Sequence, residues 1–95
     1  LQAVPVWQQG DQVIYAKHLE DGSMAVGLFN RGWQTVKMNF TLRMLGLRGR
    51  QTVRDLWRQK DLTECTDKFE TAVEPHGVVL VRVYPGNSRE QATGK

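Results

Sequence analysis

Between Gln34 and Arg43 the chain alternates strictly. Val36, Met38, Phe40 and Leu42 fall on one parity, and Lys37, Asn39, Thr41 and Arg43 on the other. On a pleated strand this sends the apolar side chains to one face and the polar ones to the opposite face. Each of those four large side chains contributes roughly 1.5–3 kcal/mol when fully buried. The same period marks further strands. Gln12 to His18 sets Val13 and Tyr15 against Ile14 and Ala16, and Ser23 to Asn30 sets Met24, Val26 and Leu28 against Ala25, Gly27 and Phe29. Both are apolar on two faces, so each is expected to be buried on much of both faces or to lie under a neighbouring domain. Gln51 to Trp57, Lys68 to Val73 and His76 to Tyr84 complete the set.

Turn chemistry punctuates these runs. Asp21-Gly22 tolerates the positive backbone angles of a hairpin, and Arg31-Gly32 is expected to play the same part before Gln34. Glu74-Pro75-His76-Gly77 joins the last two strands, while Leu45 to Gly49 forms a longer connection. No segment carries a helical apolar stripe. Six or seven short strands with regular turns predict an all-β fold, an antiparallel sandwich or a partly closed barrel, with a small antiparallel β-sandwich with Greek-key connections as the favoured reading. Residues 1–85 are expected to form that single domain. Residues 86–95 contain no large apolar side chain and are expected to be a disordered tail.

Composition narrows the function. At 95 residues the chain is too short for a hydrolase barrel, which needs about 200. With 40% hydrophobic residues it is too apolar for disorder. No apolar run reaches the roughly 18 residues of a membrane-spanning helix, so no membrane partner is expected. The chain begins at Leu1 rather than Met, which reads as a processed product or a cut-out piece.

Candidate chemistry is sparse. A histidine held between Pro75 and Gly77, as His76 is, commonly bonds neighbouring backbone, and His18 stands alone at a strand end. Cys65 has neither a second cysteine nor a histidine at ligand spacing, so no metal site is expected. No cofactor motif is present. None of the ten acids is marked out as half of a catalytic carboxyl pair. Trp7 and Trp57 are expected to serve the core or an interface, whereas Trp33, following a turn, offers a flat face to a sugar ring. Arg43, Arg48, Arg50, Arg54, Arg58 and Lys60 cluster with only Asp55 opposing them. A nucleic-acid-binding β-barrel is one reading of that cluster, weakened by a net charge of only +3 and by aromatics not spaced for base stacking. Asn39-Phe40-Thr41 fits an N-glycosylation acceptor.

Three blocks together resemble a known family. They are Val13 to Gly32, containing Leu19-Glu20-Asp21-Gly22-Ser23 and Leu28-Phe29-Asn30-Arg31-Gly32; Val53 to Leu62, containing Asp55-Leu56-Trp57; and Val73 to Val83, containing Pro75-His76-Gly77. They are similar, in order, to the C-terminal β domain of the α-galactosidases and α-N-acetylgalactosaminidases of glycoside hydrolase family 27. Thr63 departs from the family's usual glycine after Leu62.

The resemblance implies a parent that hydrolyses terminal α-galactosyl groups with retention, using two aspartates in a (β/α)8 barrel. This chain lacks the barrel, so no catalytic residue carries over, and the chain alone is not expected to be an enzyme. It further implies structural roles. Asp21, Gly22 and Asn30 would set the first hairpin. Asp55, Leu56 and Trp57 would shape a strand end, the Asp55 carboxylate capping the turn amides with Trp57 buried beneath. Pro75, His76 and Gly77 would make the last hairpin. The expected partner is the catalytic barrel of the same parent, which this domain would pack on and stabilise. Such a parent would be secreted, periplasmic or lysosomal. The alternative is a carbohydrate-binding module using Trp33.

Overall fold

A computed structural model describes residues 3–86. The tail expectation falls on 86–95, of which all but Gly86 lie outside the described residues. Eight strands follow in chain order: β1 (Val4–Gln9), β2 (Gln12–His18), β3 (Met24–Asn30), β4 (Val36–Thr41), β5 (Gln51–Asp55), β6 (Lys60–Cys65), β7 (Lys68–Val73) and β8 (Gly77–Pro85). One short 3-10 turn, Arg43–Leu45, follows β4 and ends at Gly46 in a left-handed conformation.

Six strands form one antiparallel sheet in the order β1-β2-β3-β8-β5-β6, and β4 pairs with β7 in a second. The sheets face each other as a sandwich. The chain runs through β5, β6 and β7, and β8 then returns to lie beside β5, as a Greek key requires. Register places Ile14 beside Leu28, Leu28 beside Val79, and Val53 beside Val83. From the opposite layer Phe40 sits directly across from Phe69, with ring centroids 5.5 Å apart. Met38 and Val73 extend that buried layer, and Leu42 and Leu45 close its end.

The alternation in β4 is observed as read: Met38 and Phe40 are buried, while Lys37 and Asn39 are exposed. Two strands carry no such signal. β1 is an edge strand that accommodates Pro5 next to a bulge, where the register shifts between Pro5 and Trp7. Its Trp7 is half-buried against the core. β6, absent from the strands expected from the sequence, is the opposite edge strand. It has no buried residue, so no alternation could mark it, and its pairing with β5 defines it.

Two connections read as hairpins are crossings between sheets. β3 and β4 belong to different sheets, so Arg31-Gly32 does not close a hairpin. Nor do Pro75, His76 and Gly77 make a last hairpin, because β7 and β8 also lie in different sheets. The physical reason is the same in both cases. Strands β3 and β8 pair with each other in register from Met24–Val83 to Asn30–Gly77, leaving no free edge there for β4 or β7.

Candidate functional site

Asn30 ends β3 and is 2% exposed. Its amide nitrogen donates to the carbonyl oxygens of Gln34 (2.7 Å), Val73 (3.0 Å) and Glu74 (3.1 Å). Its Oδ1 accepts from the Gly32 backbone N–H at 2.9 Å. One side chain therefore holds both sheet crossings, a role different from the first hairpin suggested by its place in the sequence block. The His76 N–H donates to the Gly32 carbonyl at 3.2 Å, and Thr35 Oγ1 donates to Glu74 Oε1 at 3.0 Å, which closes the junction.

Pro75 and His76 occupy the middle of a turn closed by Gly77 N–H to the Glu74 carbonyl at 2.9 Å. His76 has φ +56°, the positive angle that the third position of a type II turn demands, and Pro75 presets the second. A Cβ on Gly77 would stand 3.0 Å from the Glu74 carbonyl oxygen, so the close approach needs glycine. The His76 imidazole meets Trp33 edge-on, centroids 4.2 Å apart and planes at 76°. Trp33 is 83% exposed.

The Asp21-Gly22 loop is wider than a two-residue turn, spanning Leu19 to Ser23 with Gly22 at φ +90°. Asp21 Oδ1 accepts from the Ser23 N–H (3.0 Å) and Oγ–H (2.5 Å), and Asp21 Oδ2 pairs with Arg82. The Ser23 hydrogen bonds, with a smaller contribution from Arg82, lower the Asp21 carboxyl to about 2.

At the far side of the sheet Asp55 Oδ1 accepts from the N–H groups of Trp57 (2.8 Å) and Arg58 (2.9 Å). Trp57 is not buried beneath that turn but 72% exposed, and Leu56 is exposed beside it. The β5–β6 hairpin ends on an edge strand, and among the described residues no layer covers the indole. Burial raises the thiol of Cys65.

Part of the cation cluster meets acids across the β5–β6 pair. Asp61 accepts from Arg54 (3.1 Å) and from the Tyr84 hydroxyl (2.8 Å), and Glu64 lies 3.8 Å from Arg50. Two of the six clustered cations are thus paired across β5 and β6. Among the described residues no group of three His, Cys, Asp or Glu could hold a metal ion.

The remaining feature is the outer face of the large sheet. The parity opposite the core places Val13 beside Phe29, Tyr15 beside Gly27, and Gly27 beside Leu80. Tyr15 and Phe29 pack edge to face at 5.5 Å. Gly27 makes this possible, because a Cβ there would stand 2.8 Å from Phe29 Cε1 and 3.1 Å from Leu80 Cδ2. The result is an open apolar hollow of about 360 Å3 walled by Tyr15, Ala25, Phe29 and Leu80. The face turns polar toward β5 and β6, where Arg82 lies over the Tyr84 ring at 5.1 Å. The two-faced character of β2 and β3 foreshadowed this surface. The single residues Trp33 and Trp57 did not.

Comparison with known proteins places the chain. The sequence profile of the α-galactosidase C-terminal β-sandwich domain matches residues 9–83. A probable α-galactosidase of Dictyostelium discoideum is 30% identical over 88 residues, 88% of this chain and 23% of that protein. Among solved structures, α-galactosidase I from Mortierella vinacea superposes with a TM-score of 0.79 at 30% identity, over 85% of this chain and 22% of its own. A family 27 β-L-arabinopyranosidase from Geobacillus stearothermophilus gives 0.86 at 26%, over 90% and 20%. The chain thus spans about a fifth of the length of these proteins. It belongs to the α-galactosidase C-terminal β-sandwich domain family.

Proposed function

We propose that this chain is the non-catalytic sandwich of a retaining, α-galactosidase-like glycoside hydrolase, and that it docks on the parent's catalytic barrel through the outer face of its large sheet. The observation that carries this is the apolar hollow at Tyr15, Ala25, Phe29 and Leu80. A sheet whose second face is solvated reads polar on that face, and this one does not across β2, β3 and the adjoining Leu80. The matched proteins carry four-fifths of their length outside this region, which supports the catalytic region as the occupant. Those proteins differ in activity, as galactosidase and arabinopyranosidase, while the sandwich recurs. That fits a supporting role, with specificity set elsewhere.

Docking stabilises the barrel by mass action. At a hundredfold excess over Kd the gain is about 2.7 kcal/mol, or roughly 5 °C in Tm for a region of barrel size. Titrating this chain into the parent's catalytic region expressed alone, followed by calorimetry, should show that rise. It should vanish with Phe29→Asp. An unchanged Tm at saturating chain refutes the docking role.

A further inference from the structure

A second surface lies away from the apolar face. The β1–β2 turn, with Gly10 at φ +58°, and the 31–35 crossing are tied by the Arg31 N–H donating to the Asp11 carbonyl at 2.8 Å. Between them runs a groove of about 570 Å3, walled by Gln9, Asp11, Gln12, Gln34 and Trp33. We propose that this groove binds a pyranose ring of a carbohydrate, with Trp33 as the stacking platform.

Three features fit that ligand. The first is an indole left 83% exposed yet steadied by the edge of His76. A sugar's C–H face packs on such a ring while its hydroxyls reach sideways. The second is the chemistry of the walls. Amides and a carboxylate supply both donors and acceptors in planar pairs, as vicinal hydroxyls require. The third is rigidity. The floor is fixed by Asn30, whose Oδ1 accepts from the Gly32 N–H, and by the Asp11 backbone carbonyl, which accepts from the Arg31 N–H. A protein or nucleic-acid occupant fits less well, since the groove carries one aromatic ring and no cation among these walls.

The test is NMR titration of the whole chain with methyl α-galactoside, methyl β-glucoside and methyl α-mannoside, reading the three indole N–H signals. Binding is expected for at least one glycoside, with a Kd on the order of 1 mM from the per-atom affinity of small ligands. The Trp33 signal should move and that of Trp57, also exposed, should not. Trp33→Ala should weaken binding at least tenfold, and Gln12→Ala severalfold, whereas Trp57→Ala should leave it unchanged. Trp33 is exposed, so its loss should leave the folded spectrum intact, which the remaining indole signals report directly. No saturable shift at Trp33 with any glycoside overturns the proposal. So does an equal response at Trp57, which would mark indiscriminate stacking. These readouts do not involve the catalytic region, so this proposal and the docking reading stand or fall separately.

Discussion

The Asn30→Asp substitution isolates what the sheet crossings depend on. It keeps size and shape and preserves an acceptor for the Gly32 N–H. It replaces the NH2 group with an oxygen facing three carbonyl oxygens at 2.7–3.1 Å. Two donor hydrogens are lost, each worth about 1 kcal/mol. At neutral pH the change also buries a negative charge with no cation among those partners, at about 3–5 kcal/mol. Protonation removes that charge and returns one donor, so the acid-side cost falls to about 1 kcal/mol. The sign follows from linkage. Burial and the carbonyl oxygens push the new carboxyl above its ordinary value of about 3.9, so the penalty is absent below that pH and grows as pH rises. Urea unfolding followed by tryptophan fluorescence, variant against parent at each pH, should give a difference of about 1 kcal/mol near pH 4 and about 5 kcal/mol at pH 7. A domain of this length has only about 5–14 kcal/mol in total, so the variant sits close to unfolding at pH 7. A difference below 1 kcal/mol there, or one that does not vary with pH, would show that Asn30 does not hold the junction.

Other residues give narrower tests. Asp55→Ala leaves the Trp57 and Arg58 N–H groups without their acceptor and should cost about 1 kcal/mol in urea unfolding, whereas Asp55→Asn should cost less. Gln59 holds φ +56°, so Gln59→Gly should stabilise by about 1 kcal/mol in the same assay. Asp21, lowered to about 2 by Ser23 and Arg82, stabilises the fold above the ordinary carboxyl range and loses that contribution as pH falls toward 2. In thermal melts Asp21→Asn should flatten the pH dependence between 4 and 2. Gly27→Ala displaces Phe29 and Leu80 on an open face. It should cost the isolated chain about 1 kcal/mol yet weaken binding to the catalytic region at least tenfold by calorimetric titration.

Most of the sandwich was legible because its inner strands obey a period of two. The β4 alternation and the double-sided β2 and β3 pointed to two layers and a second covered face. What the sequence hid was set by partners distant along the chain. β6 is a strand only because β5 binds its backbone, and with no buried side chain it leaves no pattern. Arg31-Gly32 carries turn residues that suit a hairpin or a crossing equally well. The choice is made 43 and 44 residues away, at the Val73 and Glu74 carbonyls that Asn30 reaches. Trp57 was misplaced for a similar reason. The Asp55 cap is local and could be read from the sequence, but burial of the indole needs a neighbouring layer, and among the described residues the edge hairpin has none. The Trp33–His76 contact joins two crossings and had no local signal at all.

The most direct measurement is hydroxyl-radical footprinting of Tyr15 and Phe29 in this chain alone and joined to its catalytic region. Docking through the outer face requires both rings to lose labelling severalfold in the joined protein while Trp33, exposed on the β3–β4 crossing, keeps its own. Equal labelling of Tyr15 and Phe29 in the two forms would mean that the barrel rests elsewhere.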